Sequence, residues 1–370
     1  MEYFGMLTFI LTRIGTILTT LIVWLASIFS PLSTRVDTMK SIREIDDGLY
    51  IMDCTYDYDA DDMLENGIDN TVDLITSGLR MVFTGWGGFG CTTFNSVTAD
   101  GDYLLSRNFD YMDSPSLIVR TTPEEGYASI STVSLYFLGY ELDSDFNPDD
   151  MDNNALTLLA PYLPLDGVNE AGFAIGVLEL ETDPTFQMTL KPNLTTTTMI
   201  RVCLDNAATV EEAVEIFSSY DMRDLLFDGC KYHFQMSDAQ GNSAIIEYYD
   251  NEMYVIYPEE SETNVVNYQA ATNFHLVEGI DDPDGMGYDR YEYAMNALAN
   301  TKGVTSEKEA MNILSACSMR DADLHGYICS TLWSNVFNCT DKTYTMCYFG
   351  NYEKTYTFTP SESLASQIAE

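Results

Sequence analysis

Histidine is scarce. The chain has three, His233, His275 and His325, with no H-E-x-x-H and no C-x-x-C. Zinc fingers and metalloprotease helices need such clustered ligands, so both are excluded. No G-x-S-x-G occurs, which removes the nucleophile elbow of a serine hydrolase. Positive charge is scarce too. Seventeen Lys and Arg stand against 58 Asp and Glu, a net charge of −41. That sign repels nucleic acid phosphates and anionic membrane surfaces, so nucleic acid is excluded as a partner. The eight cysteines, at 54, 91, 203, 230, 317, 329, 339 and 347, are widely spread. A disulfide among the last four is open, though a chain this large does not need one. Apolar material is plentiful. Hydrophobic residues make up 46% of the 370, enough for a sizeable core in one large domain or two ordinary ones.

Residues 14–31, "IGTILTTLIVWLASIFSP", carry no charge and are about long enough to span a bilayer. Residues 1–35 therefore read as a long signal peptide or an uncleaved membrane anchor. A buried helix is the third reading. Either of the first two puts the protein outside the cytoplasm, secreted or anchored. Arg35, Lys40 and Arg43 follow the run, and the positive-inside rule then opposes simple export. Residues 36–90 read as an acidic propeptide. Between 44 and 79 there are eleven acids and no lysine or arginine. Met63, Leu64, Ile68, Val72, Leu74 and Ile75 have helical spacing, with Gly67 and Gly78 as stops.

From Cys91 the pattern turns to strands. "CTTFNSV" and "DYLLSRNF" flank Thr98-Ala99-Asp100-Gly101, a hairpin signal. "KYHFQMS", "SAIIEYY" and "MYVIY" follow, and "STLWSNVFN" and "TYTMCYFG" flank a turn at 339–342. Thr209 with Glu212, and Ser306 with Glu309, are capping-box pairs ahead of helices, and "DRYEYAMNALAN" is a third helix. Antiparallel hairpins with grouped helices predict an α+β layered domain over residues 91–370.

Gly85, Gly87, Gly88 and Gly90 crowd in front of Cys91. A cysteine nucleophile needs a base to take its proton. The three histidines offer no partner pattern. The other base open to a cysteine is its own α-amine, with a pKa of about 7.7–8.0, if cleavage at Gly90–Cys91 makes it residue one. Glycine before that bond presents no Cβ to the sulfur and tolerates strain. A buried core cysteine after a loop is the competing reading of this stretch.

Cys91 followed by "TTF…DGDYLLSRNFDY" resembles the start of the mature choloylglycine hydrolases, the linear amide C–N hydrolases that include bile salt hydrolases and penicillin V acylases. It is also similar to acid ceramidase-like enzymes. "LDGVNEAGFAIGVLEL" (165–180), "YHFQMSDAQGNSAIIEYYDNEMYVI" (232–256), "AATNFHL" (270–276), "GYDRYEYA" (287–294) and "STLWSNVFNCTDKTYTMCYF" (330–349) continue the resemblance in order. It implies an N-terminal nucleophile fold, a four-layer αββα sandwich, preceded here by the hydrophobic segment and a helical propeptide. It implies Cys91 as nucleophile with its freed amine as base, and Arg107 and Asp110 as the pair beside it. It implies Asn273 as the oxyanion-facing amide, the backbone N–H near Glu179 as second oxyanion donor, and Arg290 as a site arginine. Bile salt hydrolases have asparagine where Glu179 stands, and a carboxylate there alters substrate choice. Asn169 and Glu170 read as turn and packing residues.

These residues predict an autoprocessed cysteine amidase acting on small N-acyl amides through an acyl-thioester. No metal or organic cofactor is implied. Residues 14–31 give it a route to a membrane, and homo-oligomerisation is open. Two rivals stand beside it. An acyltransferase on the same scaffold would use an amine in place of water. A catalytically silent, surface-anchored binding protein would keep only the fold, but Cys91, Arg107, Asp110 and Asn273 argue against it. The acidic segment before the scissile bond is positioned to act as an inhibitory pro-region.

Overall fold

Side-chain alternation along two long sheets builds the interior. The computed structural model describes residues 32–58, 60–67, 90–140, 146–149, 154–223, 231–280, 282–324 and 326–368. Its strands are β1 (Arg43–Asp46), β2 (Leu49–Asp53), β3 (Gly90–Val97), β4 (Tyr103–Met112), β5 (Ser116–Thr121), β6 (Ser129–Ser134), β7 (Asp166–Asn169), β8 (Ala174–Glu179) and β9 (Asn193–Leu194). Then come β10 (Asp221–Met222), β11 (Tyr232–Ser237), β12 (Ser243–Tyr249), β13 (Glu252–Ile256), β14 (Ala270–Ala271), β15 (Ala322–Leu324), β16 (Tyr327–Asn338), β17 (Thr343–Tyr348) and β18 (Thr355–Phe358). Helices are α1 (Leu32–Lys40), α2 (Ala60–Asn66), α3 (Thr196–Asn206), α4 (Val210–Ser219), α5 (Tyr288–Thr301), α6 (Glu307–Ala316) and α7 (Leu364–Gln367).

One sheet runs β1-β2-β5-β6-β7-β8-β11-β12-β13, the other β14-β3-β4-β16-β17-β18 with β15 paired to β16. The sheets face each other through β3, β4, β8 and β11. Helices α3 and α4 pack on β7, β8 and β12, and α5 and α6 pack on β3, β4 and β16. The layers are helix, sheet, sheet, helix, the α+β sandwich expected from the resemblance. Both capping boxes form: Thr209 with Glu212 opens α4 and Ser306 with Glu309 opens α6. All five hairpin strands singled out after residue 230 are present.

β4 shows how the two cores divide. Leu105, Phe109 and Tyr111 enter the core between the sheets, whereas Leu104 joins Phe94, Leu298 and Leu314 under the helices. Successive residues of a strand point to opposite faces. Arg107 therefore lies on the inner face with Phe109, fully buried. There its guanidinium crosses to the other sheet. It pairs with Asp166 of β7 and donates to the Val177 carbonyl of β8 at 2.5 Å. Gly176 makes room, since a Cβ there would meet Arg107 Cδ at 2.7 Å. The Asp166 carboxylate also accepts from Trp333 Nε1 at 2.7 Å and Asn335 Nδ2 at 3.2 Å, both on β16.

Among the described residues of the acidic stretch, α2 is helical and closed by Gly67 at φ 70°, as the spacing of Met63 and Leu64 suggests. Ahead of it β1 and β2 form a hairpin, and β2 pairs in parallel with β5. "LYIMD" is a strand-length apolar run, buried at all five positions, and such a run belongs inside a sheet. Residues 14–31, Ile68, Val72, Leu74, Ile75, Gly78, Gly85, Gly87, Gly88, Cys230 and His325 lie outside the described residues. Among the described residues no helix is long and apolar enough to cross a membrane, and no two cysteines are joined in a disulfide.

Removing one partner of a buried ion pair strands the other charge. Asp166→Ala is expected to destabilise the protein by about 3–5 kcal/mol. The urea midpoint, compared with that of the wild type, checks this.

Candidate active site

Cys91 opens the polar part of β3, opposite Phe109 of β4. β3 lies between β4 and the two-residue edge strand β14. That short edge lets the chain after β14 fold back over the start of β3, and Asn273 arrives there. The Cys91 N–H donates to Asn273 Oδ1 at 2.9 Å. Arg290 Nη2 donates to the same oxygen at 2.8 Å. Two donors converging on one atom require it to be the amide oxygen. Asn273 Nδ2 then points the other way and donates to the Glu179 carbonyl at 2.9 Å. Three of the anticipated residues thus meet at one point: Cys91, Asn273 and the backbone of Glu179.

Arg290 comes from the first turn of α5 and reaches down through the outer face of the sheet. Its Nη1 donates to the Cys91 carbonyl and, at 3.0 Å, to Thr92 Oγ1. It also pairs with Asp110 Oδ2 at 3.4 Å. Gly287, at φ 79°, lies against the Arg290 guanidinium, where a Cβ would meet Nη2 at 2.5 Å.

Arg107 and Asp110 stand beside Cys91 without pairing with each other. A spacing of three along a strand puts them on opposite faces of β4. The carboxylate partner of Arg107 is Asp166 on the inner side, and the cationic partner of Asp110 is Arg290 on the outer side. Both still flank Cys91. Arg107 Nη2 lies 3.9 Å from Cys91 Sγ. Asp110 stands opposite Gly90, and a Cβ on residue 90 would meet Asp110 Oδ2 at 2.7 Å and Met319 Cε at 2.9 Å. Glycine ahead of Cys91 is thus a packing requirement. Thr331 Oγ1 donates to the other Asp110 oxygen, from a register shift in β16 just before Trp333.

Burial pushes the Cys91 thiol up to about 11, against the pull of Arg107 and with a contribution from Asp110 in the same upward direction. Burial likewise raises the Asp110 carboxyl, opposed by Arg290 and Thr331. The thiol is therefore protonated at neutral pH and needs a base. Neither described histidine supplies it. His233 places Nδ1 2.8 Å from Glu247 Oε1 and Nε2 2.7 Å from the Thr272 carbonyl. His275 Nδ1 lies 3.4 Å from Glu247 Oε2.

This histidine cluster was not anticipated from the sequence, yet it holds the loop that carries Asn273. Glu247 accepts from the Leu276 N–H at 2.9 Å and the Val277 N–H at 3.2 Å, while His233 grips Thr272. Asn273 is fixed from both sides. The available signal was parity: His233 and Glu247 are inward positions of paired strands β11 and β12. Asp166, inside the quoted "LDGVNEAG" segment, was missed for a related reason, since its partner lies on the opposite sheet. Asn169 and Glu170 are turn and packing residues, as expected. Asn169 Oδ1 accepts from the Ala171 and Phe173 N–H groups, and Glu170 Oε1 accepts from the Ala128 N–H.

A small cleft opens beside Cys91. Phe109, Phe137, Leu163, Leu165, Val177 and Tyr232 make it largely apolar, and Glu179 is its charged residue. An amide with an apolar acyl part fits such a lining. In the ladder between β8 and β11, Leu180 N–H donates to the Lys231 carbonyl. The alternation of an antiparallel pair then turns the Glu179 N–H away from β11.

The family model "Linear amide C-N hydrolases, choloylglycine hydrolase family" matches residues 91–306. A penicillin V acylase from Pectobacterium atrosepticum is 36% identical over 117 residues, covering 29% of this chain and 29% of that protein. The match thus spans under a third of that relative's length. Among solved structures, a mutant conjugated bile acid hydrolase from Clostridium perfringens aligns with a TM-score of 0.51 at 15% identity, covering 74% of this chain and 94% of that one. A second variant of the same hydrolase aligns at 0.50 and 14% identity, with the same coverage. These two likenesses are of fold.

Burial alone would raise the Glu247 carboxyl, but hydrogen bonds from His233, His275 and Leu276 overcome it and hold it at about 2, against an ordinary 4.5. A depressed carboxylate stabilises the fold fully above its unfolded value. That contribution, of about 3 kcal/mol, is expected to disappear as pH falls from about 4.5 toward 2. Glu247→Gln should be less stable at pH 7 and show a flatter loss across that window, read by chemical denaturation at each pH.

Proposed function

The chain belongs to the choloylglycine hydrolase family of linear amide C–N hydrolases, and on that premise we propose that it is a self-processed cysteine amidase acting on N-acyl amides. One observation carries the reading. The polar groups of the site converge on the backbone at Gly90–Cys91, not on the thiol alone. Asn273 Oδ1 accepts from the Cys91 nitrogen, Arg290 holds the Cys91 carbonyl, and Asp110 lies under Gly90. As an ordinary strand amide, that nitrogen would need one acceptor and no charges. As a free amine it would need an acceptor and a carboxylate nearby, and both are in place.

Cleavage proceeds by attack of Cys91 Sγ on the Gly90 carbonyl carbon. The C–N bond to Cys91 breaks, a thioester to Gly90 forms, and the thiol proton ends on the departing nitrogen. Water hydrolyses the thioester, leaving a Gly90 carboxylate, a free thiol and a free α-amine. In turnover, that amine takes the thiol proton as Sγ attacks the substrate carbonyl. Asn273 Nδ2 and the Glu179 N–H are the donors assigned to the oxyanion, being neutral dipoles already held in place. Arg107, 3.9 Å from Sγ, favours the thiolate. The proton returns to the leaving amine, and water releases the acyl group.

The substrate is an amide whose acyl part is apolar, seated among Phe109, Phe137 and Leu165. Glu179 at the cleft, on a chain of net charge −41, disfavours amines that carry an acid group. The uncharged run 14–31 supports a location outside the cytoplasm or on a membrane.

Intact-mass spectrometry of the purified protein beside Cys91→Ala tests this. A fragment beginning at Cys91 is expected in the wild type alone, with hydrolysis of N-acyl amides following its appearance. A wild type that stays full length and inactive at mildly acidic and neutral pH would remove the proposed base.

A further inference from the structure

We infer that the segment before Cys91 is a permanent subunit of the mature enzyme, held after self-cleavage and needed to shape the substrate cleft. The inference rests on the self-processing reading for the cut, and on the fold for what the cut leaves behind. β2 is the second strand of the nine-stranded sheet, with every residue buried. It is laced to β5 from Leu49 opposite Ser116 to Asp53 opposite Arg120. The ladder extends at both ends, where Ser116 N–H donates to the Gly48 carbonyl at 2.9 Å and Cys54 N–H to the Arg120 carbonyl at 2.8 Å. Met39, Ile42, Ile51, Met52 and Met63 are buried in the same core cluster as Phe109 and Cys91. Among the described residues, the segment and the chain from Cys91 onward share one core.

Polar contacts tie it to three other parts of the chain. Tyr348 Oη donates to the Gly48 carbonyl at 3.0 Å, and Tyr356 Oη to Asp46 Oδ2 at 2.8 Å. Near the C-terminus, Ser363 Oγ and the Leu364 N–H donate to the Asp53 carboxylate at 2.8 and 3.1 Å. Tyr58 Oη donates to Asp205 Oδ1 at 3.0 Å, inside a buried pair with Arg201. The backbone entropy of ordering this segment is spent whether or not the chain is cut at residue 90. What the cut removes is one covalent link across a closed core.

The link to the cleft runs through the 3-10 segment Asn154–Tyr162. Tyr56 Oη donates to the Leu158 carbonyl, and Tyr162 Oη donates to the Tyr58 carbonyl at 2.8 Å. Leu163 and Leu165, which line the cleft, follow directly. The N-terminal chain therefore buttresses one wall of the site. A pro-region that leaves, or that acts only as an added inhibitor, does not fit a segment built into the sheet.

Two proteins test this. For the wild type, denaturing mass spectrometry reports whether the chain is cut, and native size exclusion reports whether the pieces travel together. Both chains are expected to co-elute with the activity. Urea that strips the N-terminal chain is expected to remove activity in the same transition. A residue 91–370 species eluting alone and active would overturn the inference. The second protein is Cys91→Ala with a protease recognition sequence inserted between Asp73 and Leu74, cut in vitro. Its pieces are expected to co-elute, and separation in native buffer would overturn the inference. If the wild type is never cut, the self-processing reading fails, and the second protein still decides whether the segment stays.

Discussion

A single buried cation organises the sandwich. Arg107 rises from β4 into the core, where it is fully buried, and its charge must be met there. Asp166 meets it from the opposite sheet, Val177 offers a carbonyl, and Gly176 gives up its side chain so the guanidinium can lie flat. Trp333 and Asn335 satisfy the remaining capacity of Asp166, and Trp333 stacks on Phe109 at 4.2 Å. The arrangement fixes the spacing and register of the two sheets. It also places a positive charge beside the sulfur of Cys91, so a structural constraint and an electrostatic one share a side chain.

The outer face of the same strand does the complementary task. Asp110 and Arg290 form a second buried pair, one residue removed from the cysteine backbone. Between the two faces, the start of β3 is held by charges above and below the sheet plane. The Asn273 loop closes the third side, itself clamped by His233 and Glu247. The two described histidines, His233 and His275, bond Glu247 rather than the thiol, which gives the proposed amine its role.

The N-terminal segment changes how the chain reads as a whole. Its acidic composition and position suggested a propeptide, and charge counts register the exposed residues. The residues that decide its fate are the buried ones, Leu49, Tyr50, Ile51, Met52, Tyr56 and Tyr58. They complete an edge of the nine-stranded sheet that the chain from Cys91 onward does not cover by itself.

Much was legible along the chain. Strand pairs around 98–101 and 339–342, the two capping boxes and the order of motifs from Cys91 onward all depend on residues close in sequence. Local propensity and turn chemistry act at that range. The partners of the charges were not legible. Arg107 and Asp110 are neighbours in sequence, and strand parity alone separates them, while Asp166 and Arg290 become their partners only once a second sheet and a helix arrive. The same holds for Glu247 beneath Asn273 and for β2 beside β5. The sequence by itself determined the layered fold and the family. Tertiary structure alone decided which charge meets which, because in a buried core pairing follows the closest approach in space, and closest approach is set by sheet register across distant segments.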